Sequence, residues 1–178
     1  MIRTNPLSVK SIENIANEIR NQFGIKIDSY FPILKVLDRL MYQDKLQYQI
    51  LGDDDQYLEG NTPAKYSPFE NIIYIKESVI KEYDEGEYRS SFTLCHELFH
   101  YIQVQMLKFD FIEVESCKNY EDVEWQANEF AGQVLIPTEY IDLDEQEIVE
   151  KFHVSIECAL TRKIKIKQRN DYIRNNNT

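Results

Sequence analysis

Residues 89–106 read RSSFTLCHELFHYIQVQM, a run without glycine or proline. With serine at its start, the run predicts a helix of about five turns. On that helix His96 and His100 stand four residues apart, so their side chains differ by about 40° around the axis and about 6 Å along it. Two imidazoles placed this way can share one metal ion. Glu97 is turned about 100° from His96, out of direct ligation but within reach of a water at the metal, where a general base belongs. HExxH on a helix therefore predicts a hydrolytic zinc site: the metal acidifies water and polarises the scissile carbonyl, and the glutamate carries the proton to the leaving amine. Two of the chain's three histidines fall in this motif. That concentration argues against two histidines merely making polar contacts on a helix face.

A catalytic zinc usually takes three protein ligands and one water, so a third residue has to come from elsewhere. A metzincin-type third histidine is excluded: Met106 stands six residues past His100, and Gln103 occupies the glycine place of that motif. His153 remains, but it directly precedes a predicted helix cap. A carboxylate from the next helix fits better, since residues 121–137 read EDVEWQANEFAGQVLIP with Ala127, Phe130, Ala131, Val134 and Leu135 on one apolar face and Pro137 closing the helix. Spacing alone permits Glu121, Glu124 or Glu129.

Working outward, Ile12, Ile15, Ala16, Ile19 and Phe23 fall at helical spacing between Ser8 and Gly24, and Pro32 opens a second apolar run to Met41 in the first-turn position. Between Lys45 and Lys76 the segments LQYQIL, YLEG and NIIYIK alternate with turn residues and predict a three-stranded antiparallel sheet. After Pro137, Asp144 with Glu147 reads as a capping box before EIVEKF, and Ser155 caps IECALTRKIKI. One domain is expected over 1–178, comprising a helical scaffold (1–42), the sheet (45–76), the metal-site helices (87–137) and a C-terminal helical annex with a basic tail (138–178). The class is α+β.

No window is apolar enough for a membrane span, and the first twenty residues lack the apolar core of a signal peptide. Cys95, Cys117 and Cys158 are widely spaced and odd in number, which fits a reducing compartment and so a cytoplasmic protein. Net charge is −11, but residues 161–178 carry six Lys or Arg against one Asp, so the tail is +5 and the rest −16. An acidic body repels nucleic-acid phosphates and attracts basic proteins. EIVEKFHVSIECALTRK has helix-turn-helix spacing, yet its second helix opens on Ser155, Ile156 and Glu157, without an Arg or Asn to read bases.

HELFH, then ExxANxFA some two dozen residues later, then LIP resembles the ImmA/IrrE family of zinc metallopeptidases. The resemblance is carried by residues 64–137, and it implies a small zincin-like, gluzincin-type domain in which Glu124 joins His96 and His100 as the third ligand of Zn2+. Ala127, Asn128, Phe130, Ala131, Leu135 and Pro137 match the rest of the second motif. The chain departs at Phe99, where the family usually has glycine, which either narrows the cleft or fills core. The resemblance further implies an endopeptidase that cuts a partner protein, typically a helix-turn-helix repressor, in a stress or mobile-element switch; the charge pattern adds the expectation that no nucleic acid is bound directly. A zinc-stabilised interaction or DNA-binding module without turnover is the alternative, and Glu97 argues against it because a structural site needs no base.

Overall fold

The computed structural model describes residues 1–176. Positions 177 and 178 of the expected C-terminal annex lie outside the described residues. The chain begins with β1 (Ile2–Thr4), α1 (Val9–Gln22) and α2 (Ile33–Tyr42). Ser8 caps α1 by accepting the Ser11 N–H at 3.0 Å, and Ile12, Ala16 and Ile19 turn one stripe of the helix into the core. Gly24, at φ +69°, takes the left-handed turn that ends the helix region. Pro32 sits one place earlier than the sequence predicts, at the N-cap of α2.

The three-stranded sheet comprises β2 (Gln47–Leu51), β3 (Ala64–Ser67) and β4 (Ile72–Lys76) in the order β2-β4-β3. It is mixed rather than antiparallel: β2 runs parallel to β4, with Gln47 opposite Ile72, and β3 runs antiparallel to β4, with Tyr66 opposite Ile73. The predicted strand YLEG is a loop, and AKYS takes its place. The reason lies in burial. NIIYIK is the most apolar segment, with Ile73, Tyr74 and Ile75 all buried, so it takes the central position and needs a partner on each side. AKYS alternates in the way a half-buried edge strand must, with Ala64 and Tyr66 inward and Lys65 outward.

An eight-residue helix that the sequence reading does not anticipate, α3 (Glu77–Asp84), follows β4 directly. The HELFH segment then forms α4 (Arg89–Tyr101), which continues as one π-helical turn over Ile102–Met106, closed by Leu107 N–H on the Ile102 carbonyl at 2.9 Å. No serine caps α4. Tyr88 holds the N-cap position, and the Ser90 hydroxyl instead donates to the Glu87 carbonyl. Strand β5 (Phe111–Glu113) pairs antiparallel with β1.

α5 (Val123–Leu135) lies between α4 and α1. Fully buried Ala127 and Ala131 give it a low-profile face, and Phe99 of α4 stacks on Phe130 with centroids 4.6 Å apart. Phe99 is therefore core filling. The buried guanidinium of Arg20 ties α1 to the far end of α5 by donating to the carbonyls of Val134, Lys26 and Ser29. α6 (Glu145–Phe152) carries the expected reciprocal cap between Asp144 and Glu147, and α7 (Ile156–Asn176) starts with Ser155 accepting the Cys158 N–H. No helix among the described residues is long and apolar enough to cross a membrane.

Candidate metal centre

α4 and α5 bring three acceptor groups to one point. His96 Nε2 lies 3.0 Å from His100 Nε2 and 3.1 Å from Glu124 Oε2, and His100 Nε2 lies 3.5 Å from Glu124 Oε1. The remote ring nitrogens are also engaged: His96 Nδ1 meets Asn128 Oδ1 and His100 Nδ1 meets Gln103 Oε1, each at 3.1 Å. An amide oxygen only accepts, so each Nδ1 donates, and in the neutral imidazole each Nε2 then presents a lone pair. Two lone pairs and a carboxylate facing one another at about 3 Å repel unless a cation joins them. Ligands held about 2.0–2.1 Å from a tetrahedral zinc are about 3.3 Å from one another, close to the separations here. The donor set and its spacing fit zinc.

Glu97 is buried on the same helix turn, and its carboxylate and the two imidazoles lie within 4.8 Å of one another. Proximity alone does not distinguish it from Glu124; hydrogen bonding does. Glu97 Oε2 accepts the backbone N–H of Tyr66, on the edge strand β3, at 2.7 Å, whereas both oxygens of Glu124 face imidazole nitrogens. Burial pushes the Glu97 carboxyl up to about 7, against the charge of His96 and the Tyr66 N–H that favour its ionised form. Burial also pulls on His96, but the Glu124 hydrogen bond and the Glu97 and Glu124 charges outweigh it and hold His96 above its usual value. His100 is lowered by burial and then by His96.

The other candidates lie elsewhere. Glu121 accepts the Lys118 N–H in a single 3₁₀ turn before α5. Glu129 is buried on the opposite side of α5, with Arg169 at 2.7 Å, Arg162 at 3.3 Å and Lys165 at 3.5 Å. His153 adopts a left-handed conformation, φ 52°, between α6 and α7, stacked between the rings of Tyr30 and Tyr88. The sequence reading misses Gln103 as a partner of His100 and the Tyr66 amide as a partner of Glu97. The spacing of Gln103, three residues past His100 on one helix, is the signal that could have found the former.

A cavity of about 290 Å³ adjoins the site along the first turns of α4, lined by Arg89, Thr93, Asn128 and Gly132 on one side and by Cys158 and Arg162 of α7 on the other. The family model described as the IrrE N-terminal-like domain, of the M78 peptidases, matches residues 58–163 and so covers both motifs. No curated protein matches the chain. Among solved structures, a Mycobacterium tuberculosis transcriptional regulator superposes with a TM-score of 0.54 at 15% identity, over 85% of this chain and 54% of that one. The chain thus spans about half the length of that protein, and the likeness is one of fold.

Proposed function

The chain belongs to the M78 peptidases, the IrrE N-terminal-like family, and on that premise we propose that it is a zinc-dependent endopeptidase that cuts a protein partner. His96, His100 and Glu124 hold the metal and Glu97 is the general base. The observation that carries this reading is the convergence of two bare Nε2 lone pairs and a carboxylate, each imidazole fixed from behind by an amide oxygen. Zinc bound there supplies a Lewis acid that acidifies water and polarises the scissile carbonyl. Glu97 takes the proton of the attacking water and delivers it to the leaving amine. Glu97 is a buried carboxyl beside the metal ligands, and the Tyr66 N–H engages one of its oxygens, which leaves the other to take and give the proton.

The partner is a basic, DNA-binding protein of the helix-turn-helix repressor class, and the setting is a cytoplasmic switch of a stress response or mobile element. Support comes from the acidic body, which attracts a basic domain, and from three unpaired cysteines. Direct DNA contact by the helix pair α6–α7 is disfavoured because four of its seven cations are engaged internally. Arg162, Lys165 and Arg169 surround Glu129, and Lys163 pairs with Glu145 and the Leu143 carbonyl. A single metallopeptidase domain over 1–178 is supported by α1 and α7 both packing on α5.

Glu97→Gln tests the role of the base. The amide preserves shape but cannot accept the proton, so cleavage of a helix-turn-helix repressor encoded nearby should fall by roughly 10²- to 10⁴-fold while zinc content stays at one per chain. Equal cleavage by the zinc-loaded wild type and variant, followed by intact-mass analysis of fragments, removes Glu97 from the chemistry.

A further inference from the structure

Behind His100 lies a chain of two buried amides whose orientations are forced. Gln126 has no exposed surface, and its Nε2 donates to two backbone carbonyls, Asn5 O and Tyr120 O, both at 2.8 Å. Carbonyl oxygens cannot donate, so this end of Gln126 has to be the NH₂ group and the other end is an acceptor. Gln103, likewise fully buried, places its Nε2 2.8 Å from Gln126 Oε1 and therefore donates to it. Its own Oε1 then faces His100 Nδ1 at 3.1 Å and can only accept. Flipping either amide would set donor against donor or acceptor against acceptor at side chains that have no exposed surface.

We propose that Gln126 and Gln103 are positioning residues that act as a relay, fixing His100 as its Nδ1–H tautomer before any metal arrives. The information starts at two main-chain carbonyls, one in the segment after β1 and one in the 3₁₀ turn before α5 (Asn119–Glu121). It ends as a bare lone pair on His100 Nε2, aimed at His96 and Glu124. Neither glutamine touches the reacting atoms. Because the relay is neutral, it orients the imidazole without placing a second negative charge beside Glu97 and Glu124, which a carboxylate in the same place would do. The proposal deepens the zinc reading, but its first test needs no metal.

Long-range ¹H–¹⁵N spectra of the metal-free protein read the tautomer directly, and in the wild type they should show His100 protonated at Nδ1 and bare at Nε2. In Gln126→Leu, which changes no atom within reach of a histidine, Gln103 is freed to turn and the Nε2–H form should appear. Gln103→Leu should show the same change. In Gln103→Glu a neutral carboxyl can donate its O–H to Gln126 Oε1 and accept the His100 proton with its other oxygen, so the Nδ1–H form should return. Zinc affinity, measured by competition with a chromophoric chelator, should fall by about 10- to 100-fold in both leucine variants and recover in Gln103→Glu. A purely structural role would not produce that recovery. If a leucine variant fails to fold, Gln126→Met replaces it, and the wild-type spectrum decides by itself in any case. An Nε2–H His100 in the wild type overturns the relay, as does an unchanged tautomer in a folded Gln126 variant. A bare Nε2 in a protein that takes up no zinc leaves the relay standing and overturns the zinc reading instead.

Discussion

Helix α5 carries two glutamates five residues apart, and they have opposite fates. Glu124 has a side chain 61% exposed, and its oxygens face two imidazole nitrogens that present lone pairs when the rings are neutral. Glu129 has a side chain 1% exposed, and everything around it donates: Arg162, Lys165, Arg169 and the Gln133 amide. Five residues turn the helix by about 140°, so the two carboxylates look out on different neighbours. Where donors crowd a carboxylate the cluster is complete and structural. Where acceptors crowd one another, the cluster is built for a cation, and the direction of its hydrogen bonds says more than the number of its charges.

The largest expected effect tests that distinction by metal analysis. His96→Ala, His100→Ala and Glu124→Ala should each lose stoichiometric zinc, while Glu129→Ala keeps it; full occupancy in any of the first three breaks the contrast. Stability should sort the same residues in reverse. Removing Glu129 strands the buried Arg162 guanidinium, so Glu129→Ala should cost about 3–5 kcal/mol in chemical denaturation, whereas Glu124→Ala, assayed without metal, should lie within about 0.5 kcal/mol of wild type. A small loss at Glu129 would mean that its cations find water instead.

The smallest effect is a pH dependence, and it contrasts Glu97 with Glu129. For Glu129, burial is outweighed by Arg169, Gln133 and Lys165, so its carboxyl is held below the usual value, and the stability it contributes is lost on acidification. Glu97 is raised, so the folded protein holds its proton more tightly than the unfolded chain. Its contribution is fully present below the usual carboxylate value and is lost as pH rises towards about 7. Across that interval metal-free wild type should lose up to ~3 kcal/mol relative to Glu97→Gln, read from denaturation midpoints at each pH. Parallel curves for the two proteins would show that Glu97 titrates normally.

What was legible in the sequence was whatever is encoded within a few turns of one helix. HELFH, ExxAN, the Ser8 cap and the Asp144–Glu147 box each need only neighbours three to five residues away, and each forms as expected. The α+β class followed from the same local patterns. The sheet order did not, because LQYQIL and NIIYIK look alike as strands and nothing in either says whether they lie parallel. β1 and β5 are three residues each, too short for alternation to register. The relay behind His100 was hidden for another reason: Gln103 and Gln126 are 23 positions apart, and a glutamine on a helix reads as solvent-facing until its partner is known. The π-helical turn after Tyr101 has no composition of its own.

The order β2-β4-β3 also sets a sequence of events in time. Residues 68–71 join β3 to β4, whereas residues 52–71, with β3 among them, separate β2 from β4. Closing the longer loop costs about 1.4 kcal/mol more in chain entropy, so the hairpin assembles first and the parallel strand docks last. Until β2 arrives, the long apolar edge of β4 is open to any passing strand, including that of a second nascent chain. The hairpin whose Tyr66 N–H holds Glu97 is thus the part of the sheet expected to form first, and β2, on the other side of β4, the part expected to cover the open edge.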